Sequence, residues 1–237
     1  MLQINSVNSG NCLDLMNDID DKSIDMILCD LPYGTTACKW DTVIPFEPLW
    51  AHYKRIIKDN GAIVLTASQP FTSALVMSNI KMFKYCWVWE KSSVTGHLNA
   101  HRMPMRKHED VLVFAPKRAS YYPQDLKPYN KIKRRGHNGE NYGLSGSYNF
   151  QEYTNYPRTI LKINNDPKPA HPTQKPVALF EYLIKTYTNE GELVLDNCAG
   201  SGTTAIACLR TNRNYILIEQ ETKYCDIANK RIAEFTP

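Results

Sequence analysis

No uninterrupted apolar run in the chain approaches the ~18–20 residues that a membrane-spanning helix needs. The first residues, Met1-Leu2-Gln3-Ile4-Asn5, lack the basic start and apolar stretch of a secretory signal. The expectation is a cytoplasmic protein without a membrane partner. Seven cysteines, at 12, 29, 38, 86, 198, 208 and 225, include no Cys-x-x-Cys. Their odd number and wide spacing exclude a disulfide framework and a zinc pattern and suggest free thiols in a reducing compartment. The six histidines contain no His-Glu-x-x-His, so no metal is expected. Nor does one sign of charge dominate, since 28 Lys/Arg stand against 24 Asp/Glu. A net +4 does not by itself argue for nucleic acid. Low hydrophobicity is also absent: 43% hydrophobic residues in 237 supply a full core and exclude a mostly disordered chain.

The small net charge is unevenly placed. Residues Pro116–Ala170 hold ten Lys/Arg and four Asp/Glu, a net of +6, so the remainder is slightly acidic. The same window carries seven of the fourteen tyrosines. Its centre, Lys131-Ile132-Lys133-Arg134-Arg135-Gly136-His137-Asn138-Gly139, lacks apolar periodicity and reads as loops or a small irregular lobe. A solvated surface insertion is one reading. Rings interleaved with cations favour a nucleic acid, because cations neutralise phosphates and rings stack on bases.

Outside the window, strand-like and helix-like runs alternate. Strands are predicted at Ile24–Cys29, Ala62–Thr66, Tyr85–Trp89, Asp110–Phe114, Glu192–Leu195 and Tyr215–Ile218. Helices are predicted over Glu47–Lys58 (stopped by Asn60-Gly61), over Pro70–Asn79, behind Pro176, over Thr203–Arg210 and over Glu221–Ala233. The pattern implies an α/β fold: a mainly parallel twisted sheet with helices on both faces and a small basic inserted lobe. One domain in two halves, 1–115 and 171–237, would flank the lobe at 116–170. Ligands of such sheets sit beyond the carboxyl ends of the strands.

Two strand ends carry candidate chemistry. After Leu193-Val194-Leu195 come Asp196-Asn197-Cys198-Ala199-Gly200-Ser201-Gly202-Thr203, a glycine turn opening a helix. Such a turn lets a ligand approach the backbone beside free helix N–H groups. Glu219 ends the next strand, where a carboxylate can accept both hydroxyls of an adenosine ribose. No Gly-Lys-Ser/Thr follows, so this is not a phosphate-binding P-loop, although Gly200-x-Gly202-x-x-Ala205 also fits NAD. The other end is Asp30-Leu31-Pro32-Tyr33, after Ile24–Cys29. Alone, this tetrapeptide is an ordinary turn.

Together the two motifs resemble those of S-adenosylmethionine-dependent amino DNA methyltransferases, Asp/Asn/Ser-Pro-Pro-Tyr/Phe and Asp-x-Phe-x-Gly-x-Gly. The catalytic motif comes first, then a basic lobe, then His171-Pro172-Thr173-Gln174-Lys175-Pro176 before the glycine turn. That order resembles the permuted β group of the family. Gly34–Asp41 resembles the segment that follows the catalytic motif in small phage-type adenine-N6 methylases. Leu31 departs from the pattern in place of the first proline, and Cys198 in place of the phenylalanine.

The resemblance implies a Rossmann-like methyltransferase fold and DNA methylation of the restriction–modification kind, by base flipping and direct in-line transfer. Duplex DNA would be the partner and S-adenosylmethionine the cofactor. It implies that the Asp30 carboxylate and the Leu31 carbonyl hold the target amine, that Pro32 stiffens the turn and that Tyr33 stacks on the flipped base. It places the cofactor along Asp196, Cys198, Gly200, Ser201, Gly202 and Thr203, with Glu219 on the ribose and Asp30 nearby. Asn11 and Cys12 would lie near the adenine, Thr173 and Lys175 near the methionine end. From the charge distribution, Lys131, Lys133, Arg134 and Arg135 would contact DNA; should they not, the basic loop His97–Lys107 is the next candidate surface. No cysteine follows a proline, which disfavours cytosine-C5 chemistry. Open alternatives are cytosine N4, an RNA or protein-amide substrate, an NAD-dependent oxidoreductase and a non-catalytic nucleic-acid-binding protein. Monomer and homodimer are both open.

Overall fold

The structure, a computed structural model, describes residues 2–36, 38, 41–134, 148–167 and 174–235. Two compact units divide the chain: Met1–Tyr122 with Thr159–Pro237, and Pro123–Arg158. The strands are β1 (Ser6–Ser9), β2 (Ile24–Cys29), β3 (Ile57–Ala67), β4 (Phe83–Thr95), β5 (Arg106–Phe114), β6 (Lys127–Arg134), β7 (Tyr148–Thr154), β8 (Ile160–Lys162), β9 (Leu193–Asp196) and β10 (Asn214–Glu219). The α-helices are α1 (Cys12–Leu15), α2 (Phe46–Ile56), α3 (Phe71–Ser78), α4 (Val177–Tyr187), α5 (Thr203–Arg210) and α6 (Thr222–Phe235).

The larger unit holds an eight-stranded sheet in the order β1-β10-β9-β2-β3-β5-β4-β8. β5 runs antiparallel to both its neighbours, and the other pairings are parallel. Every residue of β2 is buried, as in a strand covered on both faces. The two-residue period sorts its side chains into two cores. Ile27 and Cys29 join Ile63 and Leu65 beneath α2 and α3, through Leu49, Trp50, Tyr53, Ile56, Phe71 and Leu75. Met26 and Leu28 join Ala62 and Val64 beneath α4 and α5, through Phe180, Leu183, Ile184 and Ala205. β2 lies directly beside β9, with Ile27 opposite Leu195. The strands leading into Asp30 and into the glycine turn are therefore parallel neighbours, with their carboxyl ends on one edge.

The expected helix Glu47–Lys58 ends earlier, at Ile56, and Asn60-Gly61 lies inside β3 rather than stopping a helix. Ile57 is already extended, and β3 passes β2 with a register shift between Ile24 and Met26. A Cβ on Gly61 would stand 2.8 Å from the Asp25 carbonyl oxygen and 2.7 Å from Ile57 Cδ1. The glycine thus serves close packing at an irregular pairing, not a helix stop.

The basic window, read as loops or an irregular lobe, contains a regular antiparallel ribbon, β6 with β7. The smaller unit is also narrower than Pro116–Ala170, because β8 adds to the edge of the main sheet against β4. On the ribbon, alternate residues Tyr129, Lys131 and Lys133 share a face. The two ammoniums lie 5.3 and 4.9 Å from the centre of the Tyr129 ring. Ile132 and Phe150 oppose each other across the strands, both exposed. Among the described residues no helix is long and apolar enough to cross a membrane, and no cluster of His, Cys, Asp or Glu could hold a metal.

Candidate active site

A cavity of about 580 Å³ opens in the larger unit where β2 and β9 end. On one side lies Asp30. Its Oδ1 accepts hydrogen bonds from the Tyr33 hydroxyl, at 2.7 Å, and from the Thr66 hydroxyl near the end of β3. Its Oδ2 accepts from Lys175 Nζ at 2.6 Å. Lys175 precedes α4 and is almost fully buried, its side chain 7% exposed. Burial works against its charge, but the carboxylates of Asp30 and Glu109 outweigh it and hold the ammonium's pKa above the usual value. The Tyr33 ring stacks on Phe71 with centroids 5.1 Å apart. Burial, and then the Asp30 charge, push the Tyr33 hydroxyl's pKa well up, so it acts as a donor. Leu31 and Pro32 line the same cavity.

The turn after Tyr33 is pinned by Asp41. Its carboxylate accepts the backbone N–H groups of Gly34, Thr35 and Thr36 at 2.8, 2.9 and 2.7 Å. Burial opposes the charge, yet the Thr36 hydroxyl and these amides hold the carboxyl below its usual range.

On the other side lies the glycine turn. Gly200 and Gly202 have φ of +50° and +77°, a region that side chains other than glycine's enter at a cost. Glu219, ending β10, accepts the Gly200 amide on Oε2 at 2.8 Å and the Glu221 amide on Oε1 at 2.9 Å. Each oxygen keeps a lone pair for a ligand hydroxyl. Asp196 accepts the Cys198 amide at 3.1 Å and the Thr204 hydroxyl, so it fixes the turn. Burial pushes its carboxyl up to about 6 against those bonds. Ser201 is held by Arg231, which donates to its carbonyl at 2.5 Å and its hydroxyl at 2.9 Å. Asn11 lines the cavity and also caps α1 through Leu13 N at 2.8 Å. Cys198 meets the thiols of Cys12 and Cys29. Contact with Cys198 and then burial raise the Cys12 pKa, and burial pushes Cys29 up to about 12. These thiols stay protonated; Cys12 and Cys198 line the cavity, and Cys29 is buried in the core.

Comparison with known proteins adds a second line. The DNA methylase family acting at N6 or N4 matches residues 24–230. The chain belongs to the N6/N4 DNA methylase family. The Type II methyltransferase M2.MboI of Moraxella bovis is 28% identical, over 98% of this chain and 89% of its own. The crystal structure of the M1.HpyAVI–SAM complex superposes with a TM-score of 0.67 at 26% identity, covering 95% of this chain and 98% of that one. The cytosine-N4-specific PvuII DNA methyltransferase shares the fold, with a TM-score of 0.67 at 15% identity over 99% and 92% of the two chains. The NAD reading of the glycine turn is thereby set aside, as is the non-enzymatic one.

In this methylase the structure brings Asn11, Cys12, Asp30, Leu31, Pro32, Tyr33, Lys175, Asp196, Cys198, Gly200, Ser201, Thr203 and Glu219 to one cavity. Gly202 does not line it; a Cβ there would stand 2.9 Å from Ala228 Cβ, so this glycine serves the packing of α6. Thr173, Arg135 and the side chain of Arg134 lie outside the described residues. Lys131 and Lys133 belong to the other unit. Sequence reasoning missed Thr66, Lys91, Glu109 and Asp41. Thr66 was legible as the polar residue ending an apolar strand. Glu109 required knowing that β5 runs backwards, which no periodicity reveals.

Proposed function

We propose that the protein transfers a methyl group from S-adenosylmethionine to the exocyclic N6 of adenine within a specific duplex DNA sequence, as a cytoplasmic modification methylase. The observation that carries this reading is the sharing of one cavity by Asp30 and the Gly200–Glu219 pair. The first is an acceptor suited to an amine, the second a cradle suited to a nucleoside. The donor set fits the cofactor: a carboxylate with a free lone pair on each oxygen, a buried acid and a glycine turn at a helix start. When bound, the cofactor supplies an electrophilic methyl group.

An aromatic amine is a poor nucleophile because its lone pair is delocalised into the ring. Asp30 and the Leu31 carbonyl accept hydrogen bonds from its two N–H groups and draw the nitrogen toward tetrahedral geometry, which localises the lone pair; one of these protons leaves once the nitrogen carries the methyl group. Alignment and fixed charge account for most of such an acceleration. A base paired inside a duplex cannot bring its amine into such a cavity, so the target nucleotide is flipped out, and Tyr33 packs on the extruded ring. Glu219 holds the ribose, and the Asp196–Thr203 turn lies along the cofactor. Lys131 and Lys133, with Arg134 and Arg135, contact the duplex.

Adenine is favoured over cytosine because aspartate leads the motif, as the resemblance implies. Mass spectrometry of nucleosides from DNA methylated by the purified protein tests this. N6-methyladenine is expected; N4-methylcytosine without it would overturn the assignment, and methylated RNA with unmethylated DNA would replace the substrate class.

A further inference from the structure

We propose that Glu109 is a positioning residue for methyl transfer: it holds the Lys175 ammonium against Asp30, so that one lone pair on Asp30 Oδ2 is left open to the target amine. This rests on the reading of Asp30 as the amine's acceptor.

Four neighbouring strands converge on this point. Asp30 follows β2, Thr66 lies in β3, Glu109 in β5 and Lys91 in β4, in the sheet order β2-β3-β5-β4. The reversed direction of β5 brings its first half to the edge where β2 and β3 end. Along that edge the charges alternate. Lys91 Nζ lies 3.2 Å from Glu109 Oε1, Lys175 Nζ lies 3.3 Å from Glu109 Oε2, and Lys175 Nζ lies 2.6 Å from Asp30 Oδ2. Both ammoniums are buried, with side chains 7% exposed. Buried charges persist only when paired. Lys175 meets two carboxylates, and Lys91 offsets the extra negative charge.

Asp30 Oδ1 already accepts two hydroxyls, from Tyr33 and Thr66. A carboxylate oxygen has room for about two such bonds. Among the described residues Oδ2 accepts Lys175 alone, so its second lone pair is the acceptor left for a substrate N–H. Glu109 Oε2 is buried yet, among the described residues, accepts no hydrogen bond, and its role is the charge it sets against Lys175 at 3.3 Å. Without that charge Lys175 would be held by Asp30 alone, free to swing across the open lone pair. It would also give up its proton more readily, because burial would lose one of its two opponents. The groups facing Lys175 are Asp30 and the Tyr33 ring (5.5 Å from Nζ) beyond β2, and Glu109 from β5. Lys91 from β4 acts through Glu109. His108 and Arg106 line the same cavity.

The test is Glu109→Gln in the full chain, assayed for single-turnover transfer from saturating S-adenosylmethionine to genomic duplex DNA from a methylase-deficient host. The rate is expected to fall about 10–100-fold, with cofactor affinity by calorimetry within about threefold of the parent. The alkaline fall of the rate should begin at lower pH than in the parent. Glu109→Asp, with its charge one methylene withdrawn, should recover part of the rate and of the profile, and it carries the test should the glutamine variant not fold. A parent-like rate in these variants, or a reduced rate with the parent's pH profile and no recovery in Glu109→Asp, would overturn the proposal. An inactive parent on every duplex would instead overturn the methyl-transfer reading on which this proposal rests.

Discussion

Glu219 and Asp196 are both carboxylates at strand ends, yet their surroundings give them different work. Glu219 is anchored by two backbone amides and keeps acceptor capacity for the cavity. Glu219→Ala should weaken S-adenosylmethionine binding by about 1.5–3 kcal/mol, the usual worth of hydrogen bonds to a charged group. Calorimetry with undiminished affinity would refute its ribose role. Asp196 is turned inward, and burial raises its folded-state pKa from 3.8 to about 6. A raised carboxyl binds its proton more tightly when folded. Its contribution is therefore complete below pH ~4 and lost as the pH rises through about 6. Removing the acid in Asp196→Asn should make the cofactor-free variant progressively more stable relative to the parent between pH 4 and 7. The change should reach about 2–3 kcal/mol, because each tenfold difference in proton affinity between the folded and unfolded chain is worth ~1.4 kcal/mol. Urea melts showing a pH-independent difference would exclude that burial effect.

Among the elements, most strands and helices were legible because their apolar spacing is regular. Thr203–Arg210 is found where helical spacing put it. The failures lie where the backbone departs from that regularity. Ile57, at helical spacing after Trp50 and Tyr53, belongs instead to a strand whose irregular pairing with β2 is a tertiary matter. Gly61 signalled a stop only because close packing and turn formation demand the same residue. Gly61→Ala should be destabilising by about 1–3 kcal/mol, as expected of overpacking against backbone. A thermal melt matching the parent's would mean that Asp25 and Ile57 yield freely. The ribbon β6–β7 was hidden because its apolar pair, Ile132 and Phe150, is exposed and stands among polar residues, so no apolar alternation marks it. The candidate site was largely legible, since Asp30 and Gly200–Glu219 are contiguous signatures. The Lys91–Glu109–Lys175 chain was not, because its members come from β4, β5 and the segment before α4, which only the tertiary fold brings together.

For the whole molecule, the proposed function gives work to two features: an acceptor-lined cavity in the larger unit and a cationic ribbon in the smaller one. If Lys131 and Lys133 hold phosphates, Lys131→Ala with Lys133→Ala should weaken binding to all duplexes alike. It should also flatten the logarithmic salt dependence by about two units, one for each phosphate contact. An unchanged slope would move the DNA surface elsewhere, first to His97–Lys107. The most direct check on the whole assignment is transfer of a tritiated methyl group from S-adenosylmethionine to duplex DNA, by the parent and by Asp30→Ala in parallel. The parent should label DNA. Asp30→Ala should lose on the order of 10²–10³ or more of the rate while keeping cofactor affinity within a modest factor. Equal labelling by both proteins would contradict the role given to Asp30, and no labelling by the parent would contradict the methyl transfer itself.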